Sequence, residues 1–260
     1  MNDLNALLGP VSAIAVDAGA AILEIYNRGD VDVDHKDDNS PITEADRAAH
    51  NLIEARLQAL TPEIPVFSEE SGGIDYADRK DWPRFWLVDP LDGTRNYASS
   101  IPHFAIVVAL AQGNDMVMGV TYDPVRNEIF HAEKGKGAFL GNTPIHVSQK
   151  RRIAEAVLGC DMGYVDQRAH YALQLITSLW PRMQSIRVMG SAALGLAYTA
   201  AGRIDLYFHH NLAPWDLASG LLLIREAGGL VTDHHGDPST VQTSSIIASN
   251  SALHAEFMNL

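Results

Sequence analysis

The 260-residue chain carries a formal net charge of −13, is 47% hydrophobic and has one cysteine, Cys160. That length and apolar content allow a sizeable core, as one large α/β domain or two tightly packed halves. The charge argues against a nucleic-acid surface and against attraction to an anionic membrane, while the single cysteine rules out an intramolecular disulfide or a cysteine-based zinc site and fits a reduced, cytoplasmic setting.

Residues 4–28 repeat apolar positions with a period near 3.6, which predicts an amphipathic helix. No basic segment precedes it and Asp17 interrupts it, so a signal peptide is not expected. Residues 35–41 read as a polar loop. A second helix is predicted over 42–60, with Thr43 as N-cap and Pro62 and Pro65 beyond its end. Short apolar runs at 64–67 and 85–88 predict strands. Runs at 105–111, 117–122 and 128–133 predict three consecutive strands, the first two joined at Gly113-Asn114.

Residues 148–155 are the best boundary between two halves, 1–150 and 151–260. The second half alternates strands (157–160, 185–188, 205–208, 245–248) with helices (192–201, 217–227). Its longest apolar run, Leu221 to Ile224, is far short of the ~20 residues of a membrane span. Strands and helices mixed in this way imply a layered α/β sandwich.

The strongest local signal is Trp86-Leu-Val-Asp89-Pro-Leu-Asp92-Gly-Thr94. An apolar strand runs into two aspartates, Pro90 stops the ladder, and Gly93 frees the backbone to turn. Carboxylates at a strand end suit a hard cation such as magnesium, which keeps positions for water and phosphate. An ordinary Asp-Gly turn would explain the last residues alone, but not the whole segment. Ser68-Glu69-Glu70-Ser71 follows another apolar run and, in isolation, is a solvated acidic pair. Pro214-Trp215-Asp216 opens a helix, where proline and aspartate are common for structural reasons alone.

Together, Glu69-Glu70-Ser71, Asp89-Pro-Leu-Asp92-Gly-Thr94 and Pro214-Trp215-Asp216 resemble, in order and spacing, the signature segments of the inositol monophosphatase family. Ser40-Pro-Ile-Thr-Glu-Ala-Asp46, Pro102-His-Phe104, Gly119 to Pro124, Lys134 to Ala138 and Arg187-Val-Met-Gly-Ser-Ala192 extend the resemblance along essentially the full chain. It implies an αβαβα sandwich and a lithium-sensitive phosphoric monoester hydrolase, active as a homodimer on a small phosphorylated metabolite. It further implies two or three Mg²⁺ ions (Mn²⁺ being possible), held by Glu69, Asp89, Asp92, Asp216 and the Leu91 carbonyl. Thr94, assisted by Asp46, would activate the attacking water, with Glu69 beside them. Asp92, Gly93, Thr94, Ala192, His209 and Asp216 would contact substrate. Glu70 and Asp46 would adjoin a third, weaker metal site. The charges are coherent: four carboxylates contribute −4, two Mg²⁺ cancel them, and a third leaves +2 against a phosphate dianion.

One position departs from that pattern. Inositol-specific members carry a glutamate seven residues before the last aspartate, where it contacts a sugar hydroxyl; here it is His209, followed by His210. The expected substrate is inositol monophosphate or a related sugar or polyol phosphate. The alternatives are phosphoadenosine phosphate, histidinol phosphate and fructose 1,6-bisphosphate, or a catalytically silent binding protein on the same fold. His209-His210 and His234-His235, read as neighbours on strands, point to opposite faces and make poor zinc chelators.

Overall fold

The computed structural model describes residues 4–29, 33–35, 41–71, 82–163 and 167–260. In chain order it runs α1 (Leu4–Tyr26), β1 (Val33–His35), β2 (Pro41–Thr43), α2 (Glu44–Leu60), β3 (Val66–Ser68), β4 (Arg84–Asp92) and α3 (Thr94–Ala98). There follow β5 (Ala105–Gln112), β6 (Asp115–Asp123), β7 (Glu128–Glu133), β8 (Ala138–Leu140) and β9 (Thr143–Ile145). After a 3₁₀ turn come β10 (Val157–Asp161), α4 (Gln167–Leu179), β11 (Ser185–Val188), α5 (Ala192–Ala200) and β12 (Leu206–His209). The chain ends with α6 (Pro214–Glu226), β13 (Leu230–Thr232), β14 (Ile246–Ser249) and α7 (Ser251–Met258).

These elements form five layers, αβαβα, as the family resemblance implies. Helices α1 and α2 cover one face of a seven-stranded sheet ordered β3 to β9. Helices α5 and α6 fill the space between it and a five-stranded sheet ordered β11-β10-β12-β14-β13. Helices α4 and α7 close the far face. The shorter sheet is mixed: β10 runs parallel to both β11 and β12, whereas β14 is antiparallel to β12 and β13.

Because both faces of the large sheet are covered, its strands are continuously apolar rather than alternating. From Phe85 to Asp92 every residue of β4 is buried. The pleat still sorts them. Phe85 and Leu87 join the core shared with α5 and α6, while Trp86 and Val88 face α1 and α2. Helix α1 lays Val11, Ile14, Ile22 and Ile25 into that outer core, each contributing about 1.5–3 kcal/mol on burial. Its segment Ala6–Tyr26 has the length and composition of a membrane-crossing helix, so the apolar stretch here exceeds the run of four near the C-terminal end. In the fold it packs one face on α2, β5 and β6 and leaves the other exposed.

Three local expectations change. The loop over 35–41 is bounded by paired strands, since His35 and Pro41 face each other across β1 and β2; residues 36–40, including Ser40, lie outside the described residues. Pro90 does not end the ladder: β4 bulges between Asp89 and Asp92 and pairing resumes at Asp92 with Ala105. Helix α6 begins at Pro214 rather than 217, because proline is already set for a first helical turn. The strand pattern also missed β8, β9 and β13 and the helices α4 and α7.

Candidate active site

The bulge in β4 decides where the two aspartates point. Residues three apart on a regular strand lie on opposite faces. Here Asp89 pairs with Val107 and Asp92 with Ala105, so three steps along β4 match two along β5. The extra residue returns Asp92 to the face that Asp89 occupies. That face looks toward α6. Helix α6 lies close on β6, with the Thr121 and Ser219 hydroxyls hydrogen-bonded to one another, and its first turn carries Asp216 over the strand end.

As a result one carboxylate oxygen from each of Asp89, Asp92 and Asp216 lies within 4.8 Å of the others. This is the only group of three or more candidate metal ligands among the described residues, and it contains no histidine. His234 and His235 occupy a turn, their rings 3.7 Å apart, rather than a strand.

Each aspartate is anchored. Asp89 Oδ1 accepts from the Leu91 amide at 3.0 Å. Asp92 accepts from the Ser191 hydroxyl and from the Ala192 and Ala193 amides at 3.2 and 3.1 Å. Asp216 Oδ2 accepts from the Ala213 amide at 2.8 Å, so it caps its own helix while serving the cluster. Burial, and then the negative charges of Glu69, Asp92 and Asp216, hold the Asp89 carboxyl well above the usual carboxylate range. Burial raises Asp92 to about 7 against the bonds from Ser191 and Ala193. Buried carboxylates that crowd one another in this way favour a cation among them. An all-oxygen donor set fits Mg²⁺ or Mn²⁺.

A cavity of about 320 Å³ opens over the cluster. Glu69, Leu91, Gly93, Thr94, Ala192 and His209 all line it with the three aspartates. Asp46 stands behind Thr94: the Thr94 hydroxyl reaches Asp46 Oδ1 at 3.3 Å and the Leu91 carbonyl at 3.0 Å. Asp46 Oδ2 accepts from the Thr43 amide at 2.7 Å and hydroxyl at 2.6 Å, completing the capping box of α2. Burial raises the Asp46 carboxyl to about 6, opposed by the Thr43 bonds. Glu70 is not on the cavity wall; its amide donates to Ser68 Oγ at 3.3 Å. His209 Nδ1 accepts from the Asn211 amide at 3.0 Å, and burial lowers its pKa to about 4, so the ring is neutral with its hydrogen on Nε2.

Sequence reasoning missed several lining residues, among them Asp161, Arg95 and Asn211. Asp161 ends β10 much as Asp89 lies near the end of β4. That parallel, an aspartate closing an apolar strand, was the available signal.

Comparison with known proteins agrees with this geometry. Residues 4–260 match the model of the inositol monophosphatase family. The chain is 35% identical to an inositol-1-monophosphatase of Mesorhizobium japonicum, over 96% of this chain and 93% of that protein. It is 36% identical to the Nus factor SuhB of Haemophilus influenzae, over 98% and 96% respectively. The crystal structure of the extragenic suppressor protein suhB from Bartonella henselae superposes with a TM-score of 0.90 at 34% identity, covering 98% of this chain and 97% of that one. The chain belongs to the inositol monophosphatase family.

Proposed function

We propose that this protein hydrolyses a small phosphate monoester, inositol monophosphate or a related sugar or polyol phosphate, with bound Mg²⁺. The observation that carries the reading is the convergence of Asp89, Asp92 and Asp216 on one cavity wall. Those three, with Glu69 and the Leu91 carbonyl, would hold the cations. When bound, the ions would supply charge neutralisation of the phosphoryl group and a lowered pKa for an attacking water.

The chain's own contribution is orientation and proton handling. With its hydrogen directed to Asp46 Oδ1, Thr94 Oγ1 presents lone pairs to the cavity. It can accept a proton from the water as its own passes to Asp46. Gly93 sits in the left-handed region at φ 92° and lets the chain turn from β4 into α3, which brings Thr94 to the wall. Gly93, Thr94 and Ala192 would bracket the phosphate. His209, a neutral hydrogen-bond donor where a carboxylate acceptor stands in inositol-specific members, would touch the leaving group. A homodimeric, cytoplasmic, lithium-sensitive enzyme is part of the same proposal.

A substrate panel tests it. Inositol 1-phosphate, fructose 1,6-bisphosphate, histidinol phosphate and phosphoadenosine phosphate are each offered with Mg²⁺, then with Li⁺ added. Mg²⁺-dependent phosphate release from at least one, reduced by Li⁺, is expected. No release from any of them, with tight binding of a partner instead, would favour the alternative of a silent binding protein, a reading kept open by relatives named as a Nus factor.

A further inference from the structure

We propose that Asp161 is a positioning residue for this site, acting on Asp92 through the turn 189–191; the proposal rests on the phosphatase reading above. Asp161 lies at the end of β10 in the five-stranded sheet, whereas Asp92 belongs to the seven-stranded one. The two are joined by a short chain of hydrogen bonds.

Asp161 is only 5% exposed. Its Oδ1 accepts from the Met189 amide at 2.8 Å and from the Gly190 amide, and its Oδ2 accepts from the Tyr207 hydroxyl at 2.9 Å. A single carboxylate therefore gathers the amides of the turn from one side. From the other side, Asn96 Nδ2 reaches the carbonyls of Met189 at 2.8 Å and Gly190 at 3.2 Å, together with that of His103 at 2.9 Å. The turn is held between an acceptor and a donor.

The next residue is Ser191, which N-caps α5 by accepting from the Leu194 amide at 3.3 Å. Its hydroxyl hydrogen goes to Asp92 Oδ2. The Ala192 and Ala193 amides, in the first turn of α5, complete the set on Asp92. Where the turn sits thus fixes the direction from which three donors meet a candidate metal ligand. Outer partners of this kind set ligand orientation, and their loss typically costs 10–100-fold in metal affinity or activity. Burial raises the pKa of the Asp161 carboxyl, while the bonds from Gly190, Tyr207 and Met189 favour its charged form, and hydrogen bonds to a charged acceptor are roughly twice as strong as neutral ones.

The experiment compares the full-length chain with Asp161→Asn. Mg²⁺ affinity is measured by isothermal titration calorimetry, metal-free thermal unfolding is recorded, and turnover is followed on the best panel substrate. The isosteric amide keeps the packing, so unfolding is expected within a few degrees of the unsubstituted chain. The Mg²⁺ dissociation constant is expected to rise about 10–100-fold, with kcat falling and KM for substrate nearly unchanged. Unchanged Mg²⁺ affinity and kcat overturn the role. If Asp161→Asn does not fold, Tyr207→Phe decides, since it removes only the hydroxyl on Asp161 Oδ2: a severalfold weaker Mg²⁺ affinity supports the role and an unchanged one overturns it. If the unsubstituted chain binds no Mg²⁺ at all, the phosphatase reading fails and takes this role with it; Mg²⁺ binding that ignores both substitutions sinks this role alone.

Discussion

The Thr94 hydroxyl donates to Asp46 Oδ1 across 3.3 Å, while the other oxygen of Asp46 closes the cap of α2 on Thr43. One carboxylate thus does a structural task with one oxygen and faces the candidate nucleophile site with the other. The two tasks separate on substitution. Asp46→Asn keeps an oxygen for one partner only, and Thr94→Ala removes the relay while leaving the cap intact. Thr94→Ala is expected to lower kcat by about 10²–10⁴-fold, the usual span for a lost proton-transfer group, with unchanged thermal stability. Asp46→Asn should lose comparable turnover and, in addition, about 1 kcal/mol of stability through the cap. Steady-state kinetics paired with thermal melts distinguish these outcomes; a Thr94→Ala variant with wild-type kcat would remove Thr94 from the chemistry.

Crowded carboxylates predict an unusual response to metal. Asp89 is buried and held neutral-leaning by Glu69, Asp92 and Asp216, so in chelator its charge is a liability. Asp89→Asn should be at least as stable as the unsubstituted chain in EDTA. Mg²⁺ at 100 times its dissociation constant adds about 2.7 kcal/mol to a protein that binds it only when folded, or about 5–10 °C in Tm at this chain length. That gain should vanish in Asp89→Asn together with phosphate release. An Asp89→Asn variant that melts well below wild type in EDTA, yet is still raised by Mg²⁺, would show that Asp89 is structural.

The acidic strand end was legible because its signal is short-range. An apolar run, two aspartates, a proline and a glycine within nine residues constrain one another wherever the strand lies. What could not be read was the bulge, which exists only in the pairing of β4 with β5 and which puts Asp89 and Asp92 on one face. Asp161 carries a local mark, an aspartate closing an apolar strand, but its role is set by Met189, Gly190 and Tyr207, which arrive from remote stretches of sequence. Helix α4 buries Ala172 and Leu179 with Leu175 and Ile176 packed beside them, a helical spacing that is present in the sequence and was missed, whereas α7 spans only 8 residues and buries Leu253, His254 and Phe257. Helix α2, with its capping box, was legible to within two residues.

Close approach of α6 to the sheet yields a prediction about a residue outside the cavity. A Cβ on Gly119 of β6 would lie 2.8 Å from the Ser219 Cα, backbone that cannot swing aside. Ser219 is three residues beyond Asp216 on the same helix. Gly119→Ala should cost about 1–3 kcal/mol as overpacking and, by lifting α6, weaken Mg²⁺ binding as well. Gly9→Ala is the control. Gly9 is an exposed site in α1 with nothing beyond its chain neighbours within 4 Å of an added Cβ; the helix-propensity gain of alanine is offset by the Pro10 that follows it, so stability should change by less than about 1 kcal/mol and Mg²⁺ affinity should stay untouched. Urea melts and calorimetry report both; a Gly119→Ala variant with unaltered Mg²⁺ affinity would show that α6 does not need this contact to hold Asp216 in place.

His210 predicts a pH dependence of stability that the carboxylate cluster does not confound. Its ring packs among Tyr171, Phe208 and His234, with ring centroids 4.9, 6.0 and 6.0 Å away. Burial first, and then the neighbouring His234, lower its pKa to about 4. The unfolded value is about 6.5. Above pH 6.5 the ring is neutral in both states and costs nothing. As pH falls from 6.5 toward 4 the unfolded chain takes up a proton that the folded one refuses, so stability is lost on acidification. Allowing for the partial exposure of the ring, the loss due to this residue between pH 7.5 and pH 5 is about 1–2 kcal/mol. His210→Phe removes the titration and also a buried Nε2 that has no hydrogen-bond partner among the described residues. The difference in unfolding free energy between His210→Phe and wild type should therefore grow by that amount between the two pH values, in favour of the variant. Each protein is compared with the other in the same buffer, so the titrations of Asp46 and Asp92, which act in the opposite sense, cancel. Parallel stability curves for the two proteins would mean that the His210 ring keeps its ordinary pKa in the fold.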